Sequence, residues 1–110
     1  MITVGRRTRI RPGREADYAR IHAQIPDAVH AAIRRAGVER WHIWIDGSTL
    51  FHSIDTIVGY ARFLEEIGGL GPIDPAWDDI IADLLDDAPD ADRILDLVWA
   101  MDESGQHGGR

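Results

Sequence analysis

The stretch Val38–Asp46, VERWHIWID, constrains the fold more than any other part of the chain. Aromatic and β-branched residues run through it, and Asp46-Gly47 supplies a hairpin turn at its end. Thr49–Asp55 follows as a shorter partner, so the two segments read as an antiparallel pair. Side chains alternate between the faces of a strand. Trp41 therefore shares a face with Ile43 and Ile45, His42 with Arg40 and Trp44, and His52 with Leu50 and Ile54.

The flanking segments supply what such a hairpin packs against. Ile2, Val4, Thr8 and Ile10 share one parity, interrupted by Arg6, and predict a half-buried strand ended by Pro12-Gly13. From Arg14 the period lengthens: Tyr18, His22, Ile25, Val29 and Ala36 recur on a helical face that stops at Gly37. Pro26 lies inside that face. It lacks the amide hydrogen and crowds the preceding turn, so it kinks or divides the helix. Ile57–Ile67 predicts a second helix closed by Gly68-Gly69, followed by a loop of glycine and proline. Trp77, Ile80, Ile81, Leu84 and Leu85 mark a third helical face, with Asp74 as N-cap and Pro75 in the first helical position. Leu95, Leu97, Trp99 and Met101 alternate within Arg93–Met101, which predicts a last strand with one side well buried.

This order is strand, helix, strand, strand, helix with a helical extension, strand. It predicts an α+β chain of ferredoxin-like type: a two-layer sandwich with helices on one face of a four-stranded antiparallel sheet. Residues 1–101 form the single domain, and 102–110 are expected as a flexible C-terminal tail. The second sheet face, bearing Trp41 or Trp44, is left for a dimer contact, a ligand cavity, or both. A domain of 110 residues leaves much of its surface outside the core, so a homodimer of the dimeric α/β barrel type is expected.

Charge narrows the partners. The formal net charge is -7, and nine aspartates between Asp74 and Asp96 accompany one arginine, Arg93, so nucleic acid is excluded as a partner. Arg6, Arg7, Arg9, Arg11 and Arg14 gather at the other end. They read as a solvated edge strand paired with acidic neighbours, or as a grip on an anion or polar substrate. The chain has no cysteine, hence no disulfide, thiol nucleophile or thiolate metal site. Met1–Arg11 does not read as a secretory leader, and no apolar run approaches a membrane span. A cytoplasmic protein without membrane contact is expected.

Several residues are candidates for chemistry. Tyr18 and His22, four apart, share a helix face and can reach a common point. They are either core residues or a phenol beside an imidazole, the natural proton carrier near pH 7. Trp41 is a core ring or a flat platform for the apolar face of a sugar. Trp77 is a core anchor or a pocket wall, and His52 a partly buried or pocket-edge histidine. Asp55 is a helix cap or an orienting carboxylate. His22, His42 and His52 invite a metal, but no close ligand motif joins them, and none is expected. No phosphate-cradling glycine pattern occurs, so no nucleotide cofactor is expected either.

Taken in order, RPGREADYARIH, AGVERWHIWIDG, LFHSIDT, DPAWDDI and the closing LDLVW resemble the L-rhamnose mutarotase family over nearly the whole chain. The resemblance implies a dimeric, cofactor-free isomerase of carbohydrate metabolism. Such an enzyme interconverts the α and β anomers of a free sugar, L-rhamnose or a related hexose. It implies His22 as proton donor and Tyr18 as a sugar contact. The family's tyrosine on the long strand falls on Trp41. Its paired tryptophans fall on Ala76 and Trp77, and its Asn-Pro-x-Trp on Ala23-Gln24-Ile25-Pro26. His22 then protonates the ring oxygen, Trp41 and Trp77 stack on the sugar, and His52 or Asp55 is a second candidate for proton transfer beside Tyr18. Another cofactor-free enzyme on this fold, or a non-catalytic sugar-binding or dimerising module, are the alternatives.

Overall fold

In a computed structural model, which describes residues 1–109, four strands form an antiparallel sheet and four helices accompany it. The strands are β1 (Ile2–Arg9), β2 (Val38–Asp46), β3 (Thr49–Thr56) and β4 (Arg93–Ile94). The helices are α1 (Glu15–Ile21), α2 (Asp27–Arg35), α3 (Tyr60–Gly69) and α4 (Pro75–Leu84). Sheet order is β2-β3-β1-β4, with β3 and β1 in the centre.

The hairpin forms as its turn chemistry dictates. Asp46 pairs with Thr49, leaving Gly47 and Ser48 as the loop, and Gly47 takes φ 59°, a conformation that strains residues with a Cβ. A bulge at Glu39 shifts the register between Val38 and Arg40. Val38 faces Thr56 and Trp41 faces Ile54, so two residues of opposite parity reach the same sheet face. Along β3, Leu50, His52, Ile54 and Thr56 are buried beneath the helices, whereas Phe51 points to the open face.

Pro26 divides the predicted long helix. Its carbonyl accepts from His30 N–H at the start of α2, while α1 ends at His22, whose N–H donates to the Tyr18 carbonyl at 2.8 Å. The i, i+4 relation of Tyr18 and His22 survives the break. At α4 the expected cap is in place: the Asp74 carboxylate accepts from Trp77 N–H at 3.0 Å, with Pro75 next in sequence. Asp74→Ala is expected to cost about 1 kcal/mol, read as a lower urea midpoint at unchanged slope.

The arginines of β1 latch onto the acidic segment after α4. Arg6 binds Asp92 through two side-chain hydrogen bonds (2.9 and 2.6 Å), Arg9 binds Asp86 and Asp90, and Arg14 binds Asp83. The acidic neighbours expected for this cluster are therefore found. β1 itself, however, is interior, paired with β3 along its length and with β4 at Arg6 and Arg7.

The C-terminal segment departs from expectation. Backbone pairing to β1 ends with Leu95 N–H on the Gly5 carbonyl, and the chain then leaves the sheet. Trp99–Asp102 becomes β5 and pairs with β6 (Gly105–Gly108) as a separate hairpin. The local turn explains this: Asp102 Oδ1 accepts from both Ser104 N–H and Ser104 Oγ, and Gly105 takes φ 125°. The alternating Leu95, Leu97, Trp99 and Met101 are real but exposed, so the predicted buried side does not form. Residues expected as a tail beyond Asp102 carry a strand, with Arg110 outside the described residues.

No helix is long and apolar enough to cross a membrane among the described residues. The core is split in two. Ile10, Tyr18, Leu50 and Leu84 make one cluster, and Ala36, Val38, Ile54 and Phe63 the other.

Candidate active site

The gap between the two clusters is a cavity of about 790 Å³, within the range of small-molecule sites. Its sheet floor carries Arg6 and Thr8 from β1, Trp41 and Ile43 from β2, and His52 from β3. The helices contribute Tyr18, His22 and Trp77, which roof it with aromatic rings.

Five of the six residues expected at the site converge here: Tyr18, His22, Trp41, His52 and Trp77. The imidazole of His22 lies between two rings. Tyr18 stacks on it at 5.0 Å between centroids and 23° between planes, and Trp77 is tilted against it at 5.7 Å and 58°. Asp74 capping and the first turn of α4 place Trp77; helix periodicity places Tyr18 under His22. Trp41 is fixed by two contacts, the edge of Phe63 (6.1 Å, 86°) and a hydrogen bond from its Nε1 to His52 Nδ1 at 3.1 Å.

Asp55 is not part of this group. It sits on β3 at the opposite parity from His52, on the open face, where Thr3 Oγ1 donates to its Oδ1 at 2.6 Å. Nor does it cap α3. The N-cap of α3 is Gly59, without a side-chain cap, and its N–H donates to Thr56 Oγ1 at 2.7 Å. Of the cavity-lining residues on β1, Thr8 is one that the sequence reading does not single out, and Arg6 enters it only within the arginine cluster, as one member of a possible grip on a polar substrate. The signal was present: both belong to the even-numbered face of β1, and Arg6 breaks an otherwise apolar row because that row passes under the cavity. His30, exposed at the surface, also borders the cavity.

Burial sets the electrostatics. Desolvation pushes the Tyr18 phenol up to about 12, against a smaller opposing pull from the Arg6 charge. Tyr18 is thus a neutral hydroxyl at physiological pH. Burial also lowers His22 below its ordinary 6.5, partly opposed by a backbone hydrogen bond at the same residue. His52 is pushed down to about 4, by burial first and then by the Arg6 charge. Among the described residues, no three His, Asp or Glu side chains are grouped to hold a metal.

The state of His52 has a consequence for stability. Between about pH 6.5 and 4 the unfolded chain binds a proton that folded His52 refuses, so stability is complete above that window and is lost as pH falls through it. At ~1.4 kcal/mol per pH unit, discounted for solvent screening, the loss is about 2 kcal/mol. Urea titrations at pH 7 and 4.5 should recover most of this difference in the wild type. His52→Gln should flatten it.

Three comparisons bear on this arrangement. A family model described as L-rhamnose mutarotase matches residues 3–103. Among solved structures, an L-rhamnose mutarotase from Formosa agariphila superposes with a TM-score of 0.67 at 19% identity, covering 93% of this chain and 100% of that one. No curated protein sequence matches.

Proposed function

The chain belongs to the L-rhamnose mutarotase family, and from that premise we propose that it interconverts the α and β anomers of a free sugar, L-rhamnose or a related hexose. The observation that carries this reading is the His22 imidazole, in ring contact with Tyr18 and Trp77 in the wall of a cavity with room for a free sugar.

The chemistry needs little more. In ring opening, the C1–O5 bond breaks as O5 gains a proton, while the hydroxyl on C1 gives its proton to a solvent water and becomes the aldehyde oxygen. Rotation about C1–C2 exposes the other carbonyl face, and closure reverses both transfers. His22 as imidazolium gives the proton to O5 and takes it back on closure. Its lowered pKa makes it a stronger acid toward a weakly basic ether oxygen. Tyr18, neutral and in contact with the same imidazole, orients the sugar by hydrogen bonding. Trp77 and Trp41 offer flat faces to the carbon–hydrogen surfaces of the ring. His52 is not a free base, because both its nitrogens are engaged by Trp41 and Thr8.

The functional unit in this reading is a homodimer formed through the open sheet face. Trp44 and Phe51 face each other across β2 and β3 there, 57% and 39% exposed. His42 stacks on Trp44 at 5.6 Å.

Exchange NMR on a panel of free 6-deoxy and ordinary hexoses tests the activity. At least one sugar should exchange its anomers faster than in buffer. Binding without faster exchange makes the chain a sugar-binding module, the reading to which Ala23 and Ala76 in place of larger family residues would lend themselves.

A further inference from the structure

The cavity floor contains a hydrogen-bonded row that crosses three strands. Trp41 on β2 reaches His52 on β3 at 3.1 Å, and His52 Nε2 lies 2.8 Å from Thr8 Oγ1 on β1. The register makes this possible. Thr8 pairs with Leu50 and Trp41 with Ile54, each a diagonal neighbour of His52 on the same face. Thr8 and His52 are both buried, 5% and 7% exposed, and all three residues line the cavity.

The row has one direction. An indole N–H can only donate, so His52 Nδ1 must present its lone pair to Trp41. A neutral imidazole with a bare Nδ1 carries its hydrogen on Nε2. That hydrogen points at Thr8 Oγ1, which therefore accepts. Among the described residues, His52 is the side-chain partner of the Thr8 hydroxyl, whose own hydrogen is left to be donated elsewhere.

We propose that Trp41, His52 and Thr8 form a one-way hydrogen-bond chain that ends in the Thr8 hydroxyl as a fixed donor to a sugar oxygen. Thr8 is then a substrate-binding residue, and His52 a positioning residue that sets the direction of the Thr8 hydroxyl and the angle of the Trp41 ring. The chain reads a hydrogen-bond acceptor on the face of the sugar turned to the sheet, opposite the rings of Tyr18, His22 and Trp77. Protonation of His52 would place a hydrogen on Nδ1 against the indole N–H and break the row. The depressed basicity of this histidine keeps the row intact at ordinary pH. The identity of the ligand as a sugar rests on the function proposed above; the direction of the row does not.

Two measurements test it. Imidazole nitrogen NMR on the sugar-free wild type should find His52 neutral, hydrogen on Nε2, from pH 5.5 to 8. A hydrogen on Nδ1 anywhere in that range overturns the proposal. The second measurement titrates wild type, Thr8→Val and Thr8→Ser with L-rhamnose and the other sugars of the panel, followed by tryptophan fluorescence. Thr8→Val should bind about tenfold more weakly, and Thr8→Ser should recover the affinity. Equal affinity in wild type and Thr8→Val overturns the proposal while leaving the mutarotase reading intact. Binding that depends on Thr8, but without accelerated exchange, supports the donor and overturns the mutarotase reading instead. No binding by any sugar of the panel overturns both.

Discussion

His22→Ala is expected to lower enzyme-driven anomer exchange by about 10²- to 10⁴-fold, the range over which a positioned acid–base group contributes. The variant should stay folded, since His22 follows the last residue of α1 and lies outside both buried clusters. What it loses is the proton carrier between Tyr18 and Trp77. The pH profile identifies the working form. Burial lowers His22 below 6.5, so the imidazolium is the minority at pH 7.5 and grows as pH falls. Exchange at saturating sugar, corrected for buffer, should rise from pH 8 toward 5.5. A rate that instead rises with pH makes neutral His22 the base for the anomeric hydroxyl and moves the proton donor to Tyr18.

Trp44→Glu combined with Phe51→Glu is expected to weaken the proposed homodimer by about 100-fold or more. The pairing of Trp44 with Phe51 in β2 and β3 continues through Arg7 to Arg93, so one row across the open face holds two aromatic rings and two guanidinium groups. In a two-fold contact the same row is buried on both sides, and central aromatic side chains carry most of such an interface. Two carboxylates at its centre would have to be desolvated on each protomer. Sedimentation equilibrium gives the readout. An unchanged association constant would put the contact on another surface, with the exposed β5–β6 hairpin as the next to examine.

The parts of the fold that sequence reading captured are those decided locally. Asp46-Gly47 makes the central turn, Pro26 divides the first helix, and Asp74 caps α4, each through chemistry within a few residues. The closing strand was misread because edge pairing is a long-range property. Leu95 reaches the Gly5 carbonyl, whereas Trp99 onward is captured by the Asp102–Ser104 turn into its own hairpin. At the site, Tyr18, His22, Trp41, His52 and Trp77 were legible from spacing and from the family resemblance. Their convergence was not, because it depends on the Glu39 bulge and on the gap between two core clusters. Asp55 shows a stricter lesson. His52 and Asp55 differ in parity along one regular strand, so both could not reach the same cavity. Thr8 escapes notice because a polar residue on an apolar strand face looks like an interruption, and Arg6 is legible only as one of five clustered arginines. Here the polar residues line the floor of the cavity.

The most direct test of the account is the α-to-β exchange rate of L-rhamnose measured by magnetisation transfer against increasing concentrations of the wild-type protein. The proposed activity predicts a rate that climbs in proportion to protein, with an intercept equal to the buffer rate. A flat line for L-rhamnose, repeated for every other sugar of the panel, would contradict it.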